Sequence, residues 1–299
     1  MNDTDAEVGH VDGGLAFDLP RFLPRRVVTH LSRRRALGLL GGTSLMAVLA
    51  ACSSSNDGDT AAGSSSSTSA GGSGTSTTAG SSASSTAASS VAAGEVIPDE
   101  TAGPFPGDGS NGPNVLSESG VVRQDITSSF GASTMVAEGN RLQINLKVVD
   151  AATGQGLAGA AVYLWHCNRN GEYSLYASGL ENVNYLRGLQ VADNSGDLSF
   201  QSIFPGCYSG RWPHVHFEVY STPDEATGGS GPVKTTQLAL PQDACAASYT
   251  ASGYETSVAN LAKTSLSSDN VFRDGYDLQL ASVTGDTASG FTASLVVRV

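Results

Sequence analysis

Apolar and polar residues alternate along several short stretches of the chain, and this alternation constrains the fold more than any other feature. In the stretch RLQINLKVVD, residues 141–150, apolar side chains occupy Leu142, Ile144, Leu146 and Val148. Side chains two positions apart lie on one face of a strand, so this pattern predicts a strand with a buried face. Similar stretches, separated by Gly, Asp, Asn and Pro, are AAVYLWHC, GDLSFQSIF, HVHFEVY, TTQLAL, YDLQLASV and FTASLVVRV. Many short strands between turn residues predict an all-β fold, an antiparallel β-sandwich.

A segment of low complexity precedes these strands. Residues 53–90 are almost entirely Ser, Ala, Gly and Thr. Such side chains cannot bury enough apolar surface to offset the entropy that is lost on ordering. We therefore predict a disordered linker over residues 53–94 and a folded β-sandwich domain over residues 95–299, a suitable length for one domain. Within that domain, short helices are expected near residues 244–249 and 256–263.

The N-terminal region has the pattern of an export signal. Three arginines, Arg33 to Arg35, precede an apolar run over residues 36–51 that is too short to span a bilayer comfortably. The run ends in LAAC, which resembles a lipobox whose cysteine, Cys52, receives lipid. Residues 1–52 therefore predict a twin-arginine-like signal with a lipobox and a protein that is exported. We expect it to be lipid-anchored at the outer face of the cell membrane, or secreted; a plain transmembrane anchor is the alternative.

The charge of the chain bears on nucleic-acid binding, and its cysteine content limits the number of disulfides. The formal net charge is −12, and no basic cluster lies outside the N-terminal region, which argues against nucleic-acid binding. If Cys52 carries lipid, three cysteines remain, at Cys167, Cys207 and Cys245. Export permits a disulfide, so at most one pair is expected, and the sequence does not identify it. It does not predict an oligomeric state either.

Two histidines in the stretch HVHFEVY are candidates for a metal site. His214 and His216 lie two positions apart and share one face of a strand, whereas Val215, Phe217 and Val219 face the opposite side, towards the core. Alone, such a pair is a weak signal, because two polar residues on an exposed face would show the same pattern.

The residues around the histidine pair strengthen the case. Tyr208 and Arg211 precede the pair, and Tyr173 follows an Asn-Gly turn signal after an earlier strand. Each tyrosine alone is explained by a half-buried ring with a hydrogen-bonded hydroxyl. Arg211 is unfavourable beside a divalent metal unless it faces an anionic ligand.

Four motifs in order resemble the intradiol ring-cleavage dioxygenases, relatives of protocatechuate 3,4-dioxygenase. They are ETAGPFPGDG at 100–109, LWHCNRNGEYS at 164–174, FPGCYSGRWPHVHFEV at 204–219 and TTQLALP at 235–241. Together they cover most of the domain, and the short spacing from Tyr208 to His214 is similar to that of the secreted subgroup.

The resemblance implies a ligand set and a reaction. Tyr173 and Tyr208 would be tyrosinate ligands of a non-haem Fe(III) ion, and His214 and His216 its imidazole ligands. Tyr208 would also be displaced as it accepts a substrate proton. Arg211 would stabilise negative charge on the substrate, and Gln237 would border the substrate pocket, so that the implied substrate-binding pair is Arg211 and Gln237. The implied enzyme is an oxidoreductase that cleaves a catechol ring between its hydroxyl-bearing carbons with O2, giving muconate-type diacids.

Two other interpretations compete with this one. The first is a surface-displayed binding lipoprotein that keeps the sandwich fold without chemistry. The second is a zinc or copper site that uses only the histidine pair. Among the remaining candidates, we expect His166 to be hydrogen-bonded locally and Trp165 to pack in the core. Tyr176 and Tyr185 are expected to lie outside the ligand set.

Overall fold

The computed structural model describes residues 91–299. The predicted export signal at 1–52 with Cys52, and the predicted linker up to residue 90, lie outside the described residues. From Val91 onwards the chain is hydrogen-bonded to the domain: the Val91 amide donates to the Gly154 carbonyl at 3.1 Å, and the Gly94 amide to the Ala151 carbonyl at 2.9 Å. None of the helices in the described range has the length and apolar character needed to cross a membrane.

The described part of the chain is built mainly from strands joined by turns. The strands are β1 (Arg141–Val149), β2 (Ala161–Trp165), β3 (Arg187–Val191), β4 (Asp197–Ile203), β5 (His214–Tyr220), β6 (Lys234–Ala239), β7 (Ser282–Asp286) and β8 (Gly290–Arg298). Three short helices complete it, α1 (Pro223–Thr227), α2 (Gln242–Ser248) and α3 (Glu255–Leu261). The helices α2 and α3 confirm the two that the sequence predicts, and α1 was not predicted.

The strands form two four-stranded sheets, with strand orders β4-β1-β8-β7 and β3-β2-β5-β6. The predicted all-β sandwich is therefore confirmed. One pairing departs from a purely antiparallel arrangement: β1 and β8 are parallel, with Leu142 opposite Phe291, while the other strand pairs of the described region are antiparallel.

The main core lies where the apolar faces of the two sheets meet. From β1 it contains Leu142, Ile144, Leu146 and Val148, which are the residues that the alternation predicts. From β5 it contains Val215, Phe217 and Val219. Each fully buried side chain of this size contributes about 1.5–3 kcal/mol relative to its exposed state. The inward face of β5 is thus fixed by packing, and its histidines necessarily point to the other side of their sheet.

One predicted strand is wrong in its position. The stretch YDLQLASV was expected to be extended, but the chain turns between Tyr276 and Leu280, and the strand β7 begins at Ser282. The reason is Gln279, which is fully buried and donates from Nε2 to the Gln237 carbonyl at 3.0 Å. The polar side chain of Gln279 therefore holds the loop against β6. For this reason the polar positions of the alternating stretch do not form the exposed face of a strand.

The cysteines of the domain are buried. Cys207 and Cys245 are free thiols of the main core, and the Cys167 thiol donates to the Gly206 carbonyl at 3.4 Å. Burial raises the pKa of Cys207 to about 12 and also raises that of Cys245. Thiolates are the reactive form of cysteine, so these two side chains act as small apolar core residues.

Candidate metal centre

The strand β5 carries the histidine pair on the sheet face opposite the main core. His216 lies opposite Trp165 of β2 and Gln237 of β6 in the strand register. The Nε2 atoms of His214 and His216 are 3.0 Å apart, and both side chains are buried. The bland alternative of two polar residues on an exposed face is therefore wrong.

Two tyrosines from separate loops complete a cluster with these imidazoles. The Tyr208 hydroxyl lies 3.2 Å from His214 Nε2, and the Tyr173 hydroxyl lies 3.4 Å from the same atom. The two hydroxyl oxygens are 3.5 Å apart. Tyr173 is buried, whereas Tyr208 is half-buried. The structure thus brings together the side chains at all four positions that the sequence singles out as ligands.

A glycine permits the two tyrosine loops to approach each other. Gly171 has a φ of +86°, and a Cβ atom built there would lie 2.8 Å from the Cβ atom of Tyr208. Only glycine adopts this backbone conformation readily and leaves space for the neighbouring chain. The Gly-x-Tyr pattern around Tyr173 therefore has a local physical reason.

Both imidazoles are neutral, and the ring of His214 is fixed by a backbone hydrogen bond. His214 Nδ1 lies 2.5 Å from the Trp212 carbonyl and donates to it, which leaves the lone pair of Nε2 facing the cluster. Burial lowers the pKa of His214 and of His216 well below the ordinary value, and the charge of Arg211 lowers both further. A neutral imidazole with its lone pair turned towards the other donors is the form that binds a metal.

The cluster has the dimensions and chemistry of a metal centre. Donor atoms at about 2.0–2.1 Å from one ion are roughly 2.9–3.6 Å from one another in common geometries, and the separations above run from 3.0 to 3.5 Å. Oxygen and imidazole donors suit iron, and phenolate oxygens favour its ferric state because both are hard. In residues 91–299, no group of three or more His, Cys, Asp or Glu side chains could hold a metal ion.

A buried cation lies beside this cluster. Arg211 is fully buried, its Nε atom donates to Asp269 Oδ2 at 3.0 Å, and its Nη2 atom donates to Gln237 Oε1 at 2.7 Å. Asp269 also accepts from the Trp212 amide at 2.6 Å. The guanidinium is thus fixed by a carboxylate on one side and an amide on the other. No sequence pattern points to Asp269, which lies far along the chain from Arg211 in an ordinary polar loop.

Aromatic side chains and the segment of residues 100–107 surround the cluster. Trp165 stacks on His216, with ring centroids 5.1 Å apart and an interplanar angle of 5°. Trp165 is buried as predicted, but in a satellite cluster with Tyr173 rather than in the main core. Phe105 lies 5.0 Å from the Tyr173 ring, and Gln237 Nε2 donates to the Thr101 carbonyl at 2.8 Å. These contacts hold the segment against the proposed ligands.

Two carboxyl groups near the cluster are held in environments that disfavour charge. Burial raises the pKa of Glu100 to about 7, with nearby Asp274 acting in the same direction. Burial also raises the pKa of Glu218 to about 7, although the Tyr220 hydroxyl donates to it at 2.7 Å. Sequence reasoning found neither group, because the burial of a single glutamate depends on distant packing.

Comparison with known proteins identifies the family. A family model described as Dioxygenase matches residues 111–280, which is more than half of the chain and includes every proposed ligand. The chain belongs to the intradiol ring-cleavage dioxygenases. A catechol 1,2-dioxygenase from Pseudomonas sp. (strain EST1001) is 35% identical over 71 residues, which cover 24% of this chain and 23% of that protein. The matched region thus spans about a quarter of the length of this curated relative.

Solved structures of this family share the fold. An intradiol ring-cleavage dioxygenase from Tetranychus urticae superposes with a TM-score of 0.54 at 20% identity, covering 68% of this chain and 94% of that one. A hydroxyquinol 1,2-dioxygenase from Pseudomonas putida DLL-E4 gives a TM-score of 0.41 at 17% identity, covering 69% and 66% respectively. At this level of identity, the first likeness supports the two-sheet fold of the dioxygenase domain.

The other candidates lie outside the ligand cluster of this dioxygenase family member. His166 is buried, with Nδ1 2.8 Å from the Cys167 carbonyl and Nε2 2.6 Å from Ser202 Oγ. The first contact is local, as expected, and the second joins the two sheets. The Tyr176 hydroxyl accepts from the Gly107 amide at 2.9 Å, and the Tyr185 hydroxyl accepts from the Asn168 side chain at 3.2 Å.

Proposed function

We propose that this protein cleaves the ring of a catechol-type aromatic diol between its two hydroxyl-bearing carbons, using O2 and a non-haem Fe(III) ion. The observation that carries the proposal is the convergence of two phenol oxygens and two imidazole nitrogens: His214 Nε2 lies 3.0–3.4 Å from His216 Nε2 and from both hydroxyl oxygens, which are 3.5 Å apart. Tyr173, Tyr208, His214 and His216 would hold the ion. Both atoms of O2 enter the product, which is a muconate-type diacid.

Each residue of the site has a separate part in this reaction. Ferric iron, when bound, supplies a Lewis-acidic and redox-active centre at which a catechol becomes reactive towards O2. From its likeness to the family motif, Tyr208 would be the ligand that moves and accepts a substrate proton on its hydroxyl oxygen, and its half-buried position leaves room for that movement. Arg211, held by Asp269 and Gln237, is a fixed cation that stabilises negative charge on the substrate. Gln237, which contacts both Arg211 and the Thr101 carbonyl, would border the substrate pocket.

The colour and iron content of the protein test this proposal. Charge transfer from tyrosinate to Fe(III) absorbs visible light, so the iron-loaded protein is expected to be reddish and to contain one iron per chain. Catechol should consume O2 in a 1:1 ratio, and removal of iron by a chelator should abolish both colour and turnover. A colourless protein without stoichiometric iron contradicts the proposal, as does full activity with zinc alone.

Substitution of one ligand gives a sharper test. Tyr208→Phe removes the proposed ligand oxygen and the proton acceptor, and it is expected to change the visible band and to lower kcat by more than 100-fold, about the contribution of a positioned proton-transfer group. Tyr185→Phe is the matched control, since it removes a hydroxyl outside the cluster. An unchanged spectrum and rate in Tyr208→Phe would show that the ligand assignment is wrong.

We also propose that the enzyme acts outside the cell, on small aromatic diols, and that a lipid on Cys52 anchors it at the outer face of the membrane. The support is the arginine-rich, apolar and LAAC pattern of residues 33–52. Labelling with a radioactive fatty acid should mark the wild-type protein and not Cys52→Ala. Labelling of both, or of neither, would contradict the anchor.

A further inference from the structure

Arg187, on β3, is a fully buried cation without a carboxylate partner among residues 91–299. A guanidinium keeps its charge at every physiological pH, and a buried charge is costly unless its donors are satisfied. In contrast, the buried Arg211 is compensated by Asp269. Hydrogen bonds to neutral groups must therefore stabilise the charge of Arg187, and the groups that it contacts indicate its role.

The donors of Arg187 join two segments that both touch Tyr173. Its Nε atom donates to Ser174 Oγ at 3.0 Å, and its Nη2 atom donates to the Ser174 carbonyl at 2.8 Å. Its Nη1 atom donates to the Pro106 carbonyl at 2.6 Å. Ser174 directly follows Tyr173, and Pro106 directly follows Phe105, whose ring lies 5.0 Å from that of Tyr173. The planar guanidinium of Arg187 thus links the backbone that follows Tyr173, a proposed ligand, to the backbone that follows Phe105, whose ring packs against Tyr173.

The backbone around these contacts is held in unusual conformations. In residues 91–299, the non-glycine residues with positive φ are Leu175, at 72°, and Leu186, at 58°. They are the neighbours of Ser174 and of Arg187, and such conformations persist only where the surroundings over-determine them. Gly107 leaves space for the guanidinium, because a Cβ atom there would lie 2.8 Å from Nη1. Ser174 Oγ also donates to the Tyr185 carbonyl at 2.8 Å, which closes the loop.

We propose that Arg187 is a positioning residue that fixes the Tyr173 phenol within the metal centre by clamping Ser174 and Pro106 together; this inference rests on the proposed function of the cluster. The guanidinium is suited to this part because its donors lie in one rigid plane and reach both segments at once. A lysine at the same position has a single nitrogen and cannot span them.

The experiment compares Arg187→Lys, Arg187→Met and Ser174→Ala with Leu146→Ala. Leu146 is a core residue of the other sheet, so its truncation lowers stability without a contact to the site. The readouts are iron affinity, the position and intensity of the visible band, and the split between kcat and KM. In iron-free protein, the 19F resonance of 3-fluorotyrosine placed at position 173 reports on the environment of that ring without any metal.

Both Arg187 variants are expected to bind iron about 10–100-fold more weakly, as is usual when the partner of a metal ligand is removed. They should also shift the visible band and the 19F resonance, with Ser174→Ala showing a smaller change in the same direction. The proposal is wrong if the Arg187 variants match wild type in iron affinity, visible band and 19F resonance and only lose stability, as Leu146→Ala does. If Arg187→Met does not fold, Arg187→Lys and Ser174→Ala decide.

The two proposals fail in different ways. If the wild-type protein takes up no iron, the proposed function is wrong. The 19F resonance at position 173 then still shows whether Arg187 fixes the position of the Tyr173 ring. A wild-type protein with one iron and the visible band, together with Arg187 variants that keep both unchanged, defeats only the clamp.

Discussion

Substitution of Asp269 by Asn is the most direct test of how the cation beside the metal centre is held. Arg211 and Asp269 both have fully buried side chains, 3.0 Å apart from Nε to Oδ2. Asn keeps the shape and an acceptor oxygen but removes the charge. Arg211 is then a buried cation that faces two amide side chains, the new one at position 269 and that of Gln237, instead of a carboxylate.

The expected loss of stability is large. Removal of one partner from a buried ion pair typically costs about 3–5 kcal/mol, because the other charge is left uncompensated. For a domain of this size, each kcal/mol lowers Tm by about 2–4 °C, so a fall of roughly 6–20 °C is expected. Urea denaturation of the iron-free protein, monitored by tryptophan fluorescence, gives the free energy of unfolding directly.

A surface pair supplies the matched control. Lys147 and Asp197 lie 2.9 Å apart on the other sheet, where the aspartate side chain is 52% exposed. Asp197→Asn is expected to cost about 0–1 kcal/mol, because water screens an exposed pair. If Asp269→Asn costs no more than Asp197→Asn, then Arg211 is not a compensated buried cation, and the electrostatic part assigned to it is wrong.

Two further substitutions test other features of the site. Gly171→Ala is expected to lower iron affinity and change the visible band, because the added Cβ atom would press on Tyr208. Gly159 is the control, since it also has a positive φ, of +81°, but lies in open space. Gly159→Ala should cost only about 1–2 kcal/mol of stability and leave the band unchanged. Glu100→Gln tests a half-buried carboxyl: its raised pKa means that its stabilising contribution is complete at low pH and is lost as the pH rises towards about 7. The free energy of unfolding should thus fall less steeply with pH in Glu100→Gln than in wild type; equal slopes in the two proteins would contradict the raised pKa of Glu100.

Local sequence periodicity was sufficient to predict the sheets and the orientation of the histidine pair. Alternation in β1 and β5 depends on neighbours two positions apart, so Leu146 and Phe217 could be assigned to the core, and His214 and His216 to the opposite face, without knowledge of the rest of the fold. The same rule failed near Gln279, where a buried polar side chain closes a loop against β6. Periodicity cannot distinguish such a residue from an exposed one.

The supporting residues of the site could not be predicted because their partners are distant in sequence. The Arg211–Asp269 pair joins a loop before β5 to a loop before β7, and no spacing rule connects them. Arg187 and Ser174 are similarly ordinary in their own stretches, and only the folded sheet brings them to Tyr173. The tyrosines themselves were found through motif order rather than through any physical pattern.

The backbone of Trp212 has a consequence for how this site can change. Its amide donates to Asp269 at 2.6 Å, its carbonyl accepts from His214 at 2.5 Å, and its indole nitrogen donates to the Leu240 carbonyl at 2.8 Å. One residue is therefore shared by the support of the cation and the support of an imidazole. Substitutions at Asp269 and His214 should be strongly non-additive, since each disturbs the peptide that the other relies on.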